Sequence, residues 1–131
     1  MVRRLHCALR MTEAELKKRT KAFALAVIRF SKALPTDTVT TVITRQMVRS
    51  GTSVGANYRS ACRGKSDPDF VAKLAIAEEE GDETQFWLEV LVEAGIVKPE
   101  AIATLWDEAD QLVRILVASI KTVRSRIANN R

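Results

Sequence analysis

The 131 residues contain a single histidine, two cysteines, five glycines, three prolines and only 5% aromatic residues. The lone His6 lies in the first ten residues, away from every periodic segment, so a histidine-based acid–base pair has no structured place to form. Two cysteines, Cys7 and Cys62, are too few for a disulfide framework or a cysteine-ligated metal cluster, and the expectation is a reducing, cytoplasmic setting. Charges interrupt every apolar stretch well before the roughly 18 residues that a membrane span needs, and neither a membrane partner nor a bound cofactor is expected. With so little glycine and proline, a turn-rich sheet is disfavoured. The 47% hydrophobic content is dominated by Ala, Val, Leu and Ile, which points to helices.

The charge is abundant but divided. Residues 1 to 65 carry 14 Lys/Arg against 3 Asp/Glu, whereas residues 66 to 131 carry 7 against 13, so a half of net +11 precedes a half of net −6. The stretch from Leu112 to Arg131 then holds five basic residues and no acid. Basic, acidic and basic blocks in succession imply that folding neutralises part of the basic surface.

Periodicity and punctuation predict four helices. Thr12-Glu13-Ala14-Glu15 has the form of a capping box, and Leu16, Phe23, Val27, Phe30 and Leu34 continue one face, giving a helix over about 13–33 that ends before Pro35. Met11 directly precedes this start, so residues 1–11 read as an arm, with 1–10 as upstream sequence or a flexible leader. Val39, Ile43, Met47, Ser50, Val54, Asn57 and Ala61 carry a second helix over about 38–63, stopped at Gly64. Asp67-Pro68 offers a cap and a first-turn proline for a third helix over 67–94, where Phe70, Leu74, Ala77, Gly81, Thr84, Leu88 and Leu91 alternate strictly at four and three. Pro99 opens the fourth, over 99–127, with Ile102, Leu105, Ala109, Leu112, Leu116, Ile120, Val123 and Ile127 on one face. Long helices joined by short links must run antiparallel, and the expected fold is a single all-α domain, residues 12–131, built as an up-down-up-down four-helix bundle.

The stretch RSGTSVGANYRSACRG, Arg49 to Gly64, resembles a phosphate-cradling loop in its glycines and hydroxyls. It lacks the G-K-[ST] ending of a P-loop, and its periodicity places it inside the second helix. Gly51 and Gly55 then form a small-residue strip, each costing about 1 kcal/mol against alanine, which close approach of another helix offsets. Asn57 is a candidate for fixing the register of that packing.

A second stripe on this helix, Arg45, Arg49, Thr52, Ala56, Arg59 and Arg63, is basic. With Lys17, Lys18 and Lys21 of the first helix it forms the candidate nucleic-acid-binding surface, against the alternative of a merely solvated face. The third helix carries an acidic counterpart in Glu79, Asp82, Phe86, Glu89 and Glu93, and the basic stripe of one copy and the acidic stripe of the next are able to meet around a ring. Phe86 and Trp87 both lie beside the core line of Thr84, Leu88 and Leu91, which leaves open whether one of them packs on another chain. Tyr58, Glu83 and Trp87 are assigned to structure or interface. No aromatic platform for stacking bases is present. Cys62 lies near Arg59 and Arg63 but has no neighbouring base, and EEEGDE lacks the Glu-x-x-His pairs of a di-iron bundle, so no catalytic residue and no metal ligand is assigned.

RSGTSVGANYRSACRG joined to DFVAKLAIAEEEGDETQFWLEVLVEAGIV resembles the bacterial four-helix-bundle family of 23S rRNA intervening-sequence proteins. The pattern S-G-T-S-V-G-A-N-Y-R is met by Ser50 to Arg59, the E-T pair by Glu83-Thr84, and the W-L pair by Trp87-Leu88. Gly81 departs from it, standing where the family often has Ala or another small residue. The resemblance implies a non-catalytic cytoplasmic bundle that assembles as a homo-oligomer, a pentameric ring. A related group, the accessory proteins of diversity-generating retroelements, implies contact with RNA or DNA and with a protein partner such as a reverse transcriptase. The alternative function is a structural, protein-interaction oligomer that touches no nucleic acid.

Overall fold

The computed structural model describes residues 11–130 and consists of four helices: α1, Glu13–Lys32; α2, Thr38–Cys62; α3, Asp67–Glu93; and α4, Pro99–Asn129. Residues 1–10, the greater part of the expected arm, lie outside the described residues. Met11, which the sequence also assigns to the arm, packs against the core.

Each boundary has a local cause. The Thr12 hydroxyl accepts from the Glu15 amide at 3.1 Å, as the capping box requires, and Glu13 and Glu15 place negative charge at the positive end of α1. Asp37 caps α2, accepting from the Thr40 amide at 3.0 Å and the Thr40 hydroxyl at 2.8 Å; these bonds to the Thr40 backbone and side chain hold its carboxyl below the usual range. The cap of α3 is Ser66 rather than Asp67, with the Asp69 amide bonding its hydroxyl at 3.2 Å. Asp67 instead occupies the first helical turn beside Pro68. Gly95 ends the third helical segment at φ 74, a conformation other residues avoid, and the Ile96 amide reaches back to the Leu91 carbonyl at 2.9 Å to close the turn.

Antiparallel order follows from the contacts. Gly51 meets Val27 and Gly55 meets Thr20 across α1/α2; Ser50 bonds Thr84 and Val54 faces Gly81 across α2/α3; Gln85 bonds Asp110 and Glu89 bonds Trp106 across α3/α4. In each pair, ascending numbers on one helix meet descending numbers on the next. The α1/α4 seam is the sparsest, and is spanned by Arg19, which forks onto Glu108 at 2.7 and 2.8 Å and bonds Gln111 at 2.7 Å. This bond to Glu108 raises the Arg19 guanidinium further above its ordinary value.

The core contains every residue predicted for the α3 face. On α2 two predicted members fail. Val39 is 66% exposed and Asn57 is half-buried, while Thr40 and Tyr58 take the inward positions. After Val54 the inward line steps by four to Tyr58, which is completely buried, and then by three to Ala61. A 3.6-residue turn drifts past the strict alternation that selected Asn57. Thr20, also buried, fills the gap between Leu16 and Phe23 and satisfies its hydroxyl on the Leu16 carbonyl at 2.9 Å.

Glycine is used at three helix contacts. A Cβ on Gly51 would lie 2.8 and 2.9 Å from the two Val27 methyls, one on Gly55 would lie 3.2 Å from the Thr20 carbonyl oxygen, and one on Gly81 would lie 2.8 Å from Val113 Cγ2. Gly51 and Gly55 are therefore the helix-packing strip, and the helix they admit is α1 of the same chain. Gly81, which departs from the family pattern, lets α4 approach α3. Asn57 does not bridge helices. Its amide donates to the Ser53 carbonyl one turn back at 2.9 Å. The buried polar link between helices is instead Thr84 Oγ1 donating to Ser50 Oγ at 2.9 Å, with Ser50 in turn reaching the Met47 carbonyl at 3.1 Å.

Candidate nucleic-acid interface

The basic residues of α1 and α2 are sorted by the packing into three settings. Because Gly55 seats against Thr20, the two helices run close, and the exposed side chains on either side of that contact border a common groove of about 770 Å³. Lys17, Lys18 and Lys21 line it from α1, and Arg59 and Arg63 from α2; Thr20, Ala24, Thr52, Gly55, Ala56 and Ser60 are the small residues between them. The antiparallel register set by Thr20 and Gly55 brings Lys17 near the level of Arg59. Five of the seven predicted binding residues thus converge in one place.

Arg49 is withdrawn from the basic stripe. Its guanidinium bonds Glu80 at 3.0 Å and also pairs with Glu83, both on α3. Glu83 additionally accepts from the Trp87 indole at 3.1 Å. Burial acts to raise the Glu83 carboxyl, but the Trp87 and Arg49 bonds outweigh it, so its pKa falls below the ordinary carboxylate value, while the bond to Glu83 chiefly raises Arg49. Arg49 therefore meets acids of α3 within one chain, and neither of them belongs to the Glu79, Asp82, Phe86, Glu89 and Glu93 stripe. Arg45 lies elsewhere again, beside Lys32, Leu34, Pro35 and Val48 in a separate hollow of about 530 Å³ near the α1–α2 link, which Arg49 also borders.

The other predicted interface residues divide similarly. Tyr58 belongs to the core. Trp87 is half-buried against the core and stacks edge-on with Phe86, ring centroids 4.9 Å apart. Phe86 itself is 53% exposed. Trp106, not singled out in the sequence, holds Glu89 through its indole nitrogen at 2.9 Å, so both tryptophans secure acids of α3. A tryptophan four residues after a glutamate, as in Glu83 and Trp87, was the legible signal for the first pair. Nothing in the spacing announces the second.

Among the described residues no group of three or more His, Cys, Asp and Glu is placed to hold a metal. Cys62 is buried. No helix of the described chain is long and apolar enough to cross a membrane.

Comparison with known proteins agrees with this architecture. A protein of unknown function from the S23 ribosomal protein family of Bacteroides thetaiotaomicron VPI-5482 has a crystal structure that matches with a TM-score of 0.79 and 32% sequence identity, over 85% of this chain and 99% of that one. No curated protein matches. The family model described as 23S rRNA-intervening sequence protein matches residues 12–118, from the cap of α1 to the middle of α4. Packing, motif and family model coincide over the same helices, and the chain belongs to the 23S rRNA-intervening sequence protein family.

Proposed function

We propose that this protein is a non-catalytic, oligomeric bundle that binds nucleic acid through the α1/α2 groove. The observation that carries the reading is the convergence of Lys17, Lys18, Lys21, Arg59 and Arg63 without a carboxylate partner among the described residues, although Arg19, Arg49 and Arg114 in the same chain are all paired. Cations gathered without counter-charge repel one another and attract phosphate. Arg49 is excluded from the binding set by its carboxylates, and Arg45 by distance along α2.

Oligomerisation is supported by a second feature. Phe86 stands exposed on the acidic outer stripe of α3, between Asp82 and Glu89, while the hollow at Leu34, Pro35 and Val48 is apolar and bordered by Lys32 and Arg45. An aromatic anchor ringed by acids suits an apolar hollow ringed by bases on the next copy, and such a head-to-tail contact closes into a ring. The family resemblance implies five copies, in the cytoplasm.

Salt tests the first part. If all five cations meet phosphates of a single-stranded oligonucleotide, log K falls by about 3.5 per tenfold rise in salt, on the order of 100-fold weakening from 50 to 200 mM. Arg59→Ala with Arg63→Ala should remove about 1.4 from that slope. Binding that ignores salt, or a slope unchanged in the double variant, refutes the groove. Light scattering tests the second part: a monomer, or an oligomer indifferent to Phe86→Arg, removes the proposed contact.

A further inference from the structure

We infer that the α1/α2 groove recognises a linear phosphate chain alone, reading neither base nor sugar, so that inorganic polyphosphate is a ligand equivalent to single-stranded nucleic acid. This rests on the groove being the binding surface proposed above. It adds what that surface is unable to do.

Apart from arginine or lysine contacts to guanine and unselective hydroxyl contacts, base recognition relies on planar amides, carboxylates or stacking rings within reach. The groove offers none of these among its lining residues. Thr20 and Thr52 spend their hydroxyls on their own helices, bonding the Leu16 carbonyl at 2.9 Å and the Val48 carbonyl at 2.7 Å. Ala24, Gly55 and Ala56 have no polar side-chain atoms. The nearest side chains of the right chemistry are turned to other use: Tyr58 is completely buried, and the Asn57 amide is bonded to the Ser53 carbonyl. What remains is ammonium, guanidinium and the single Ser60 hydroxyl, which by itself tells no base from another.

Their spacing also suits a chain of charges. Lys17 and Lys21, like Arg59 and Arg63, are separated by one helical turn, about 6 Å at 1.5 Å per residue, on helices that run side by side. The result is a bordered channel of cations above a smooth floor. A helix pair packed at glycine is on the order of 8 Å between axes, which brings the two rows of cations close enough to flank one phosphate strand. A B-form duplex, with a major groove alone about 12 Å wide, meets it only along one strand. Arg59 and Arg63 are the sole lining groups able to fork onto a guanine, which makes them the place to test the inference.

The experiment uses fluorescence anisotropy of a labelled uridine oligonucleotide on the full chain, with competition by unlabelled oligonucleotides of differing sequence and by inorganic polyphosphate of matched phosphate number, and direct titration of labelled polyphosphate. All competitors are expected to displace the probe within about threefold of one another, with the same salt slope. Arg59→Lys with Arg63→Lys, which keeps charge and loses the fork, should leave binding within about threefold. Arg59→Ala with Arg63→Ala should weaken oligonucleotide and polyphosphate by the same factor, about 10-fold or more, while Lys121→Ala with Arg124→Ala on α4 changes neither. Circular dichroism confirms that each variant is folded.

If polyphosphate fails to displace a bound oligonucleotide, or the lysine variant loses binding, the inference is overturned and the nucleic-acid reading stands. If polyphosphate binds at the groove but no oligonucleotide does, the nucleic-acid reading falls and so does the equivalence inferred here. Binding of neither overturns both.

Discussion

Replacing Gly51 with alanine sets helix propensity directly against packing. Alanine gains about 1 kcal/mol over glycine in a helix interior. Its methyl, however, would lie 2.8 and 2.9 Å from the Val27 γ carbons and 3.1 Å from Val27 Cβ, where carbon pairs prefer about 3.5–4.0 Å. Rotating Val27 exchanges one methyl for the other, and its Cβ is fixed by the α1 backbone, so the helices must part. Overpacking of this kind costs about 1–3 kcal/mol, and the net expectation is destabilisation by about 1 kcal/mol. The decisive measurement is a cycle with Val27→Ala, which alone costs about 2–3 kcal/mol through lost burial and a cavity. In that background the two methyl clashes are gone and only the 3.1 Å approach to the remaining Cβ persists, so Gly51→Ala should turn from destabilising to mildly stabilising, by about 0.5 kcal/mol. Urea melts followed by circular dichroism, at one protein concentration, give both legs as midpoint shifts at constant slope. The predicted coupling is about 1.5 kcal/mol. A coupling within about 0.5 kcal/mol of zero means that Val27 does not explain the glycine.

Gly81→Ala follows the same logic with a weaker obstacle, since the only close neighbour is one methyl of the half-buried Val113; denaturant melts should show a change within about 1 kcal/mol, and stabilisation of about 1 kcal/mol once Val113 is also alanine. The lowered Glu83 pKa predicts an acid transition. Its stabilising contribution is complete above the unfolded value, about 4.3, and is lost as pH falls through the lower folded value. In a Trp106→Phe background, Trp87 fluorescence should therefore change below about pH 4.3, and Glu83→Gln should abolish that change; a transition that survives the glutamine refutes the assignment.

Helix number, order and caps were legible because each depends on neighbours in sequence. Thr12 sits three residues before Glu15, and the α3 face alternates apolar and small residues without interruption. What sequence reasoning misplaced depends on the neighbouring helix. Asn57 and Tyr58 both lie near the inward direction of α2, and only the position of the surrounding core decides that the ring goes in and the amide out. Val39 continued the periodicity on paper, but in that first turn Thr40 takes the inward direction and Val39 faces out. The arginine stripe looked uniform because periodicity carries no information on which acids lie across the way. Arg49 faces Glu80 and Glu83, whereas Arg59 and Arg63 face lysines.

That last contrast follows from topology. The basic half of the chain forms α1 and α2, and the acidic half supplies α3 and the first part of α4; in a bundle of antiparallel neighbours, α2 touches an acidic helix on one side and a basic one on the other. Glycines at 51 and 55 bring the like-charged pair into close contact. The electrostatic strain is therefore concentrated at the groove, and relieving it should reveal it. Arg59→Glu places a carboxylate among Lys17, Lys18 and Lys21, and an exposed pair of this kind contributes about 0.2–1 kcal/mol. Melting temperature should rise by about 2 °C at low salt. Added salt should stabilise the native chain by screening the same repulsion, and should stabilise the glutamate variant less. Phosphate binding should fall in the same variant, so stability and binding move in opposite directions. A variant that melts lower than the native chain at low salt, or a native melting temperature indifferent to salt, would show that the five cations do not repel and that the groove is not an electrostatic site.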